Sequence, residues 1–204
     1  KLFESAKTAL RRPPVAFMGH TKRCYLLVAV VLKRWNMSAG TAHADVKELW
    51  KRMCFNALVG NGDDHPRNHA FYRVNEAWRL APAFDITPLL GYRGSLSMGV
   101  EIRGGTAVSV ERLLEASLRM GYASATEAAQ WLIQAAGRVA QRWERDLAAA
   151  GVTPEAIAIA MESGTESATN RALVAPIKNM RINNTNINPM MMVLTNSLND
   201  VLVC

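Results

Sequence analysis

Between positions 61 and 69 the chain reads Asn61-Gly62-Asp63-Asp64-His65-Pro66-Arg67-Asn68-His69, which sets carboxylates, imidazoles, amides and a guanidinium side by side. A connecting loop does not need that much polar chemistry. Asp63 and Asn68 have four residues between them, and a further carboxylate, Asp85, follows Asn68 by 17 positions between the apolar neighbours Phe84 and Ile86. One carboxylate can take a proton from an attacking hydroxyl, while a second carboxylate and an amide oxygen can hold a hard divalent cation. Phosphoryl transfer asks for that set, because the reaction is mostly positioning and charge neutralisation. Asp63 is then the candidate base, and Asn68 and Asp85 are candidate Mg²⁺ ligands. His65 and Arg67 are candidates for supporting the loop or stabilising the transferring charge.

Such a set works only if the chain brings Asp85 back under the loop. The Asp63 to Asn68 interval equals that of the protein-kinase catalytic loop, in which the metal-binding Asp follows on a short hairpin. Here Val46, Leu49, Trp50, Met53, Cys54, Ala57 and Leu58 recur at helical spacing, so residues 46–58 read as an amphipathic helix, with Asp45 placed to cap its start and Gly60 to end it. The apolar runs 70–74 and 77–80, separated by Asn75-Glu76, read as a two-residue hairpin. Asp85 lies at the hairpin's exit. The order helix, loop, hairpin, Asp is complete.

The remainder reads as mostly helical. Residues 1–12 suggest a short amphipathic helix stopped by Pro13-Pro14, and residues 23–35 a buried helix. Helices are expected over 109–120, 126–150 and 153–162, with Gly121 and Gly151 ending the first two. Gly104-Gly105 reads as a turn, and the Trp residues at 35, 50, 78, 131 and 143 as core or core edge. Residues 163–204, rich in Asn and Met, sustain no period and read as a loose tail. The expectation is one mainly α unit with a small β-hairpin over residues 1–162, its helical bundle over 109–162, equivalent to the C-lobe of an α+β kinase-like fold.

Composition bounds the alternatives. The 204 residues are 50% hydrophobic and 20% charged, enough for a real core. Residues 1–80 carry 14 Lys and Arg against 6 Asp and Glu, whereas residues 81–204 carry 10 against 11, so the net charge of +7 belongs to the first part. Aromatics are not interleaved with those cations, which favours phosphate over direct nucleic-acid reading as the partner. Lys22, Arg23, Lys33 and Arg34 flank the apolar segment and read as its solvated ends, or as contacts to a protein partner or its DNA. Cys24, Cys54 and Cys204 form no C-x-x-C pair, which disfavours a disulfide framework and structural zinc. The longest apolar run, from Tyr25 to Leu32, is far shorter than the ~20 residues of a membrane span. A cytoplasmic protein is expected. The absence of an initiator Met suggests that Lys1 is not the natural start.

The loop with its flanks, Leu58-Val59-Gly60-Asn61-Gly62-Asp63-Asp64-His65-Pro66-Arg67-Asn68-His69, followed by Trp78-Arg79-Leu80-Ala81-Pro82-Ala83-Phe84-Asp85-Ile86-Thr87-Pro88, resembles the HipA family of toxin-antitoxin Ser/Thr kinases. The family's loop runs approximately N-x-D-x-H-x-[KR]-N, and its downstream W-x-L-[AS]-P-A-[YF]-D-[IL]-x-P carries the metal-binding Asp. The resemblance covers roughly residues 45–150. It implies Asp63 as catalytic base and Asn68 and Asp85 as metal ligands, with ATP and Mg²⁺ as cofactors. It also implies a protein substrate such as an aminoacyl-tRNA synthetase, and a helix-turn-helix antitoxin through which DNA is contacted indirectly. Residues 1–44 hold neither a Gly-rich loop nor a strand-borne nucleotide Lys, so the resemblance is to the C-lobe alone. Two other readings stay open: an inactive or pseudokinase lobe that binds an antitoxin-like partner, and a metal-dependent hydrolase using His65 and His69. Pro66 weighs against the second, because histidines four apart share a face only on a helix.

Overall fold

A computed structural model describes residues 3–11, 23–36, 38–87 and 94–158. In chain order the elements are β1 (Phe3–Ser5), α1 (Ala6–Ala9), α2 (Tyr25–Trp35), α3 (Ala39–Val59), β2 (Ala70–Val74), β3 (Ala77–Leu80), α4 (Val110–Arg119) and α5 (Ala125–Ala149). The protein is thus mainly helical with one small antiparallel sheet of order β1-β2-β3. The tail from 163 onward, Lys22 and the Trp143 side chain lie outside the described residues, as does the end of the helix expected over 153–162, of which residues 154–158 are helical.

Helix α2 buries Tyr25, Leu26, Leu27, Val28, Ala29, Val31 and Leu32, an almost unbroken apolar surface that packs against α3 and β3. Its basic end serves the fold, because Lys33 Nζ donates to the Arg119 carbonyl at 3.0 Å and so satisfies an acceptor that α4 leaves open at its C-terminus. Helix α3 is the spine. It fully buries Val46, Leu49, Trp50, Met53 and Cys54, and Trp50 packs edge-on against Tyr122 and Trp131 at centroid distances of 4.6 and 5.6 Å. The Trp50 indole N–H donates to the Leu113 carbonyl at 2.8 Å, so the largest core side chain brings no unsatisfied donor inside. Trp35 and Trp78 meet at the other end, beside Phe71. Helices α4 and α5 start at Ser109 and Ser124, whose hydroxyls accept the amides of Arg112 and Glu127.

Two expectations are corrected. The segment expected as a helix over 1–12 opens as a strand, with Phe3, Glu4 and Ser5 paired to Tyr72, Phe71 and Ala70, and only Ala6–Ala9 are helical. The open edge of β2 supplies a ladder that three residues with no period of their own cannot advertise. Helix α3 begins at Ala39 after Ser38, seven residues before the expected start, so Asp45 caps nothing. Instead its carboxylate is buried and takes Arg79 Nε at 2.7 Å, Arg79 Nη2 at 2.9 Å and the Leu80 amide at 3.1 Å, tying α3 to β3. The hairpin forms as expected, with Asn75 and Glu76 at φ 45° and 69°, the left-handed pair that a two-residue turn requires. Gly104, at φ 84°, donates its amide to the Glu101 carbonyl at 2.9 Å in the expected turn.

Candidate functional site

Helix α3 ends where Gly60 turns left-handed at φ 72° and the Asn61 amide bonds the Asn56 carbonyl at 2.8 Å. The polar loop therefore starts from a rigid helix end. Three further ties fix it. Ser97 Oγ donates to the Gly62 carbonyl at 2.7 Å, and the α1 amides of Lys7 and Ala6 donate to the carbonyls of Pro66 and His69 at 3.1 and 2.8 Å.

Beneath the loop lies a buried network that sequence reasoning did not anticipate. Asp64, fully buried, accepts the Tyr25 hydroxyl and sits 2.8 Å from His69 Nε2. Asn56 Nδ2 donates to the Tyr25 oxygen at 3.0 Å, and Asn61 Nδ2 donates to Asn56 Oδ1 at 3.2 Å. Burial, then the adjacent Asp64 charge, holds the Tyr25 phenol well above its ordinary range, so Tyr25 stays a donor to Asp64. His69, just before β2, is thereby tied to the loop through Asp64. The only sequence signal for the network was an excess of carboxylate in a loop that needs just one base.

Above the network, Asp63 and Asp85 are exposed and Asn68 is buried between their backbones. Asn68 Nδ2 donates to the carbonyls of Asp63 and Asp85, each at 3.4 Å, so one amide gathers the two chain segments. Because the amide nitrogen is committed to those carbonyls, its oxygen is the atom left for a cation. Asp85 adopts φ 56°, a left-handed conformation uncommon outside glycine that the surrounding chain must enforce. Arg52 lines the same cleft with Asn68 and Asp85, and among the described residues its buried Nη1 has no hydrogen-bond partner. Hard oxygen donors beside a guanidinium with one unpaired nitrogen suit a divalent cation carrying a polyphosphate, and Asn68 and Asp85 would hold the ion.

The remaining candidates part company with this cleft. His65 and Arg67 line a different cavity, on the side facing α1, whereas His69 is held by Asp64. The histidines therefore do not share a site, and among the described residues no group of three His, Cys, Asp or Glu side chains could hold a metal by itself. No described helix is long and apolar enough to cross a membrane.

Comparison with known proteins bears out the family resemblance. The profile of the HipA-like C-terminal domain matches residues 1–143. The chain belongs to that family. Among solved structures it is similar to the HipA toxin of Shewanella oneidensis MR-1, whose structure was determined with HipB and operator DNA. That match has a TM-score of 0.55 at 13% identity, covers 85% of this chain and 44% of the toxin chain, and so shows a shared fold. The HipA-like chain thus spans less than half the length of that relative. No curated protein matches it.

Proposed function

We propose that this chain is the catalytic lobe of a HipA-like Ser/Thr kinase, which transfers the terminal phosphoryl group of ATP, with Mg²⁺, to a hydroxyl on a protein. The observation that supports the reading is the Asn68 amide bonded to the backbone carbonyls of both Asp63 and Asp85, which joins the loop to the segment after the hairpin. Asp63, exposed at the loop's outer face, orients the acceptor hydroxyl and takes its proton. Asn68 and Asp85 hold the cation, which when bound neutralises charge on the phosphates. Arg52 supplies a positive N–H to the same region. The relative's association with HipB and operator DNA supports a toxin role for this chain as well, with a helix-turn-helix antitoxin as partner and DNA reached through it. A protein substrate such as an aminoacyl-tRNA synthetase follows from the family resemblance.

The test uses the chain extended by a family N-terminal lobe, followed by autophosphorylation from γ-labelled ATP. Asp63→Ala and Asp85→Ala should each lower transfer by about a thousandfold or more. Unaltered transfer in either variant removes the proposal. In the chain alone, Mg²⁺-dependent binding of a fluorescent ATP analogue should be lost with Asp85→Ala and kept with His69→Gln.

A further inference from the structure

The cavity on the far side of the loop has a chemistry of its own. It measures about 270 Å³, and its described walls include Lys7 and Arg11 from the α1 region, Arg23 just before α2, and His65 and Arg67 from the loop. Among the described residues none of those Lys and Arg side chains has a carboxylate partner, unlike Lys47, Arg73 and Arg79, which pair with Glu127, Glu76 and Asp45. His65 Nδ1 is shielded from solvent and likewise lacks a hydrogen-bond partner among the described residues. Like charges gathered in a concave site repel one another, and folding brings them together from three separate segments at a cost that an anion would offset.

We propose that this cavity binds a phosphomonoester, as carried by a phosphorylated side chain. The ligand is a dianion with three equivalent acceptor oxygens, matched by several guanidinium and ammonium donors, whereas a carboxylate would leave most of them unpaired. A pocket of this volume admits one such group. It does not offer the extended basic track, with interleaved aromatics, that a nucleic-acid strand follows. The walls are coupled to the catalytic loop through the Lys7 amide on the Pro66 carbonyl, so an anion seated there bears on the backbone that carries Asp63 and Asn68. Binding at this site needs no catalysis, so it stands or falls separately from the kinase reading.

The test is titration of the 204-residue chain with a fluorescent phosphoserine peptide, its unphosphorylated counterpart, inorganic phosphate and a single-stranded oligonucleotide. The phosphopeptide should bind and inorganic phosphate should displace it, with the unphosphorylated peptide at least about tenfold weaker. Arg11→Gln and Arg23→Gln should each weaken phosphopeptide binding about tenfold, with unchanged thermal melting to show that the variants fold, and Lys7→Gln provides a third reading. Asp63→Asn and Asp85→Asn should leave it unchanged, which separates this site from the cation site. Phosphopeptide binding tighter than that of free phosphate assigns a phosphorylated side chain as the occupant, and equal binding assigns the free anion. Phosphate-independent peptide binding, an oligonucleotide that binds more tightly than the phosphopeptide, or affinity indifferent to the Arg11 and Arg23 changes overturns the proposal.

Discussion

Asp63 and Asp64 are neighbours in the chain with opposite surroundings, one exposed at the outer face of the loop and the other fully buried beneath it. The buried carboxylate has partners on α2 and at the start of β2, in Tyr25 and His69. The exposed one contributes its backbone carbonyl to Asn68 and leaves its carboxylate to solvent. The lower face of the loop is thus dry and satisfied, and the upper face is wet with unspent donors and acceptors. Stability should belong to the first face and chemistry to the second. A loop that must present charge to a substrate can hold its shape because a separate set of buried polar groups fixes it.

The largest effect expected of that contrast is on folding. Asp64→Ala removes the acceptor shared by Tyr25 and His69 and strands both inside, which should cost about 3–5 kcal/mol, read as a lower urea midpoint at an unchanged slope. Asp63→Ala, one residue earlier, should stay within about 0.5 kcal/mol of the parent. Equal losses would erase the distinction between the two faces. Next comes Asp45→Ala, which leaves the buried Leu80 amide without an acceptor and frees Arg79, for a loss of about 2–3 kcal/mol by the same melts. A loss near zero there would mean that β3 is held by its strand pairing alone.

Asp45 also shows what the sequence could and could not disclose. Its position before an apolar-periodic run made it a natural cap, yet its true partner, Arg79, is 34 residues away, a relation that no local pattern carries. The same holds for β1, whose three residues become a strand only because β2 offers an edge, and for Tyr25, which reads as one more apolar residue until Asp64 meets it. By contrast the loop, the hairpin turn and the end of α3 at Gly60 were legible, because glycine, asparagine and aspartate state backbone conformation locally. The meeting of Asn68 with the Asp63 and Asp85 backbones was legible by spacing. Arg52 was not, since a helical Arg near a Glu four positions before it looks like any solvated pair.

An intermediate effect follows from the raised Tyr25 phenol. In the unfolded chain Tyr25 loses its proton near pH 10, whereas in the folded chain burial and the Asp64 charge keep the proton on. Above that pH the folded state binds more protons than the unfolded one, so stability must fall as pH rises. The contribution is whole below pH ~10 and declines by up to about 1.4 kcal/mol per unit above it for this one group. Cys24, Cys54 and Tyr122 are also shifted upward by burial and add to the alkaline slope. Tyr25→Phe isolates its share: urea melts at pH ~9 and pH ~11, on either side of the free phenol's range, should differ by less in the variant than in the parent. An undiminished difference would place Tyr25 outside the dry face.

The smallest effect has the opposite sign and probes the upper face. Asp85 stands at φ 56°, where an L-residue is disfavoured and glycine is not. Asp85→Ala removes the carboxylate and keeps the backbone cost, while Asp85→Gly removes both, although glycine also gives the unfolded chain more freedom to lose. The Gly variant should therefore be the more stable of the two by about 1 kcal/mol, and both should fail to bind ATP with Mg²⁺. The gap measures how firmly the chain enforces this conformation, in which the Asn68 amide bonds the Asp85 carbonyl. If the two variants melt alike, the left-handed turn is freely chosen, and the cleft between Asn68 and Asp85 owes its shape to the hairpin alone.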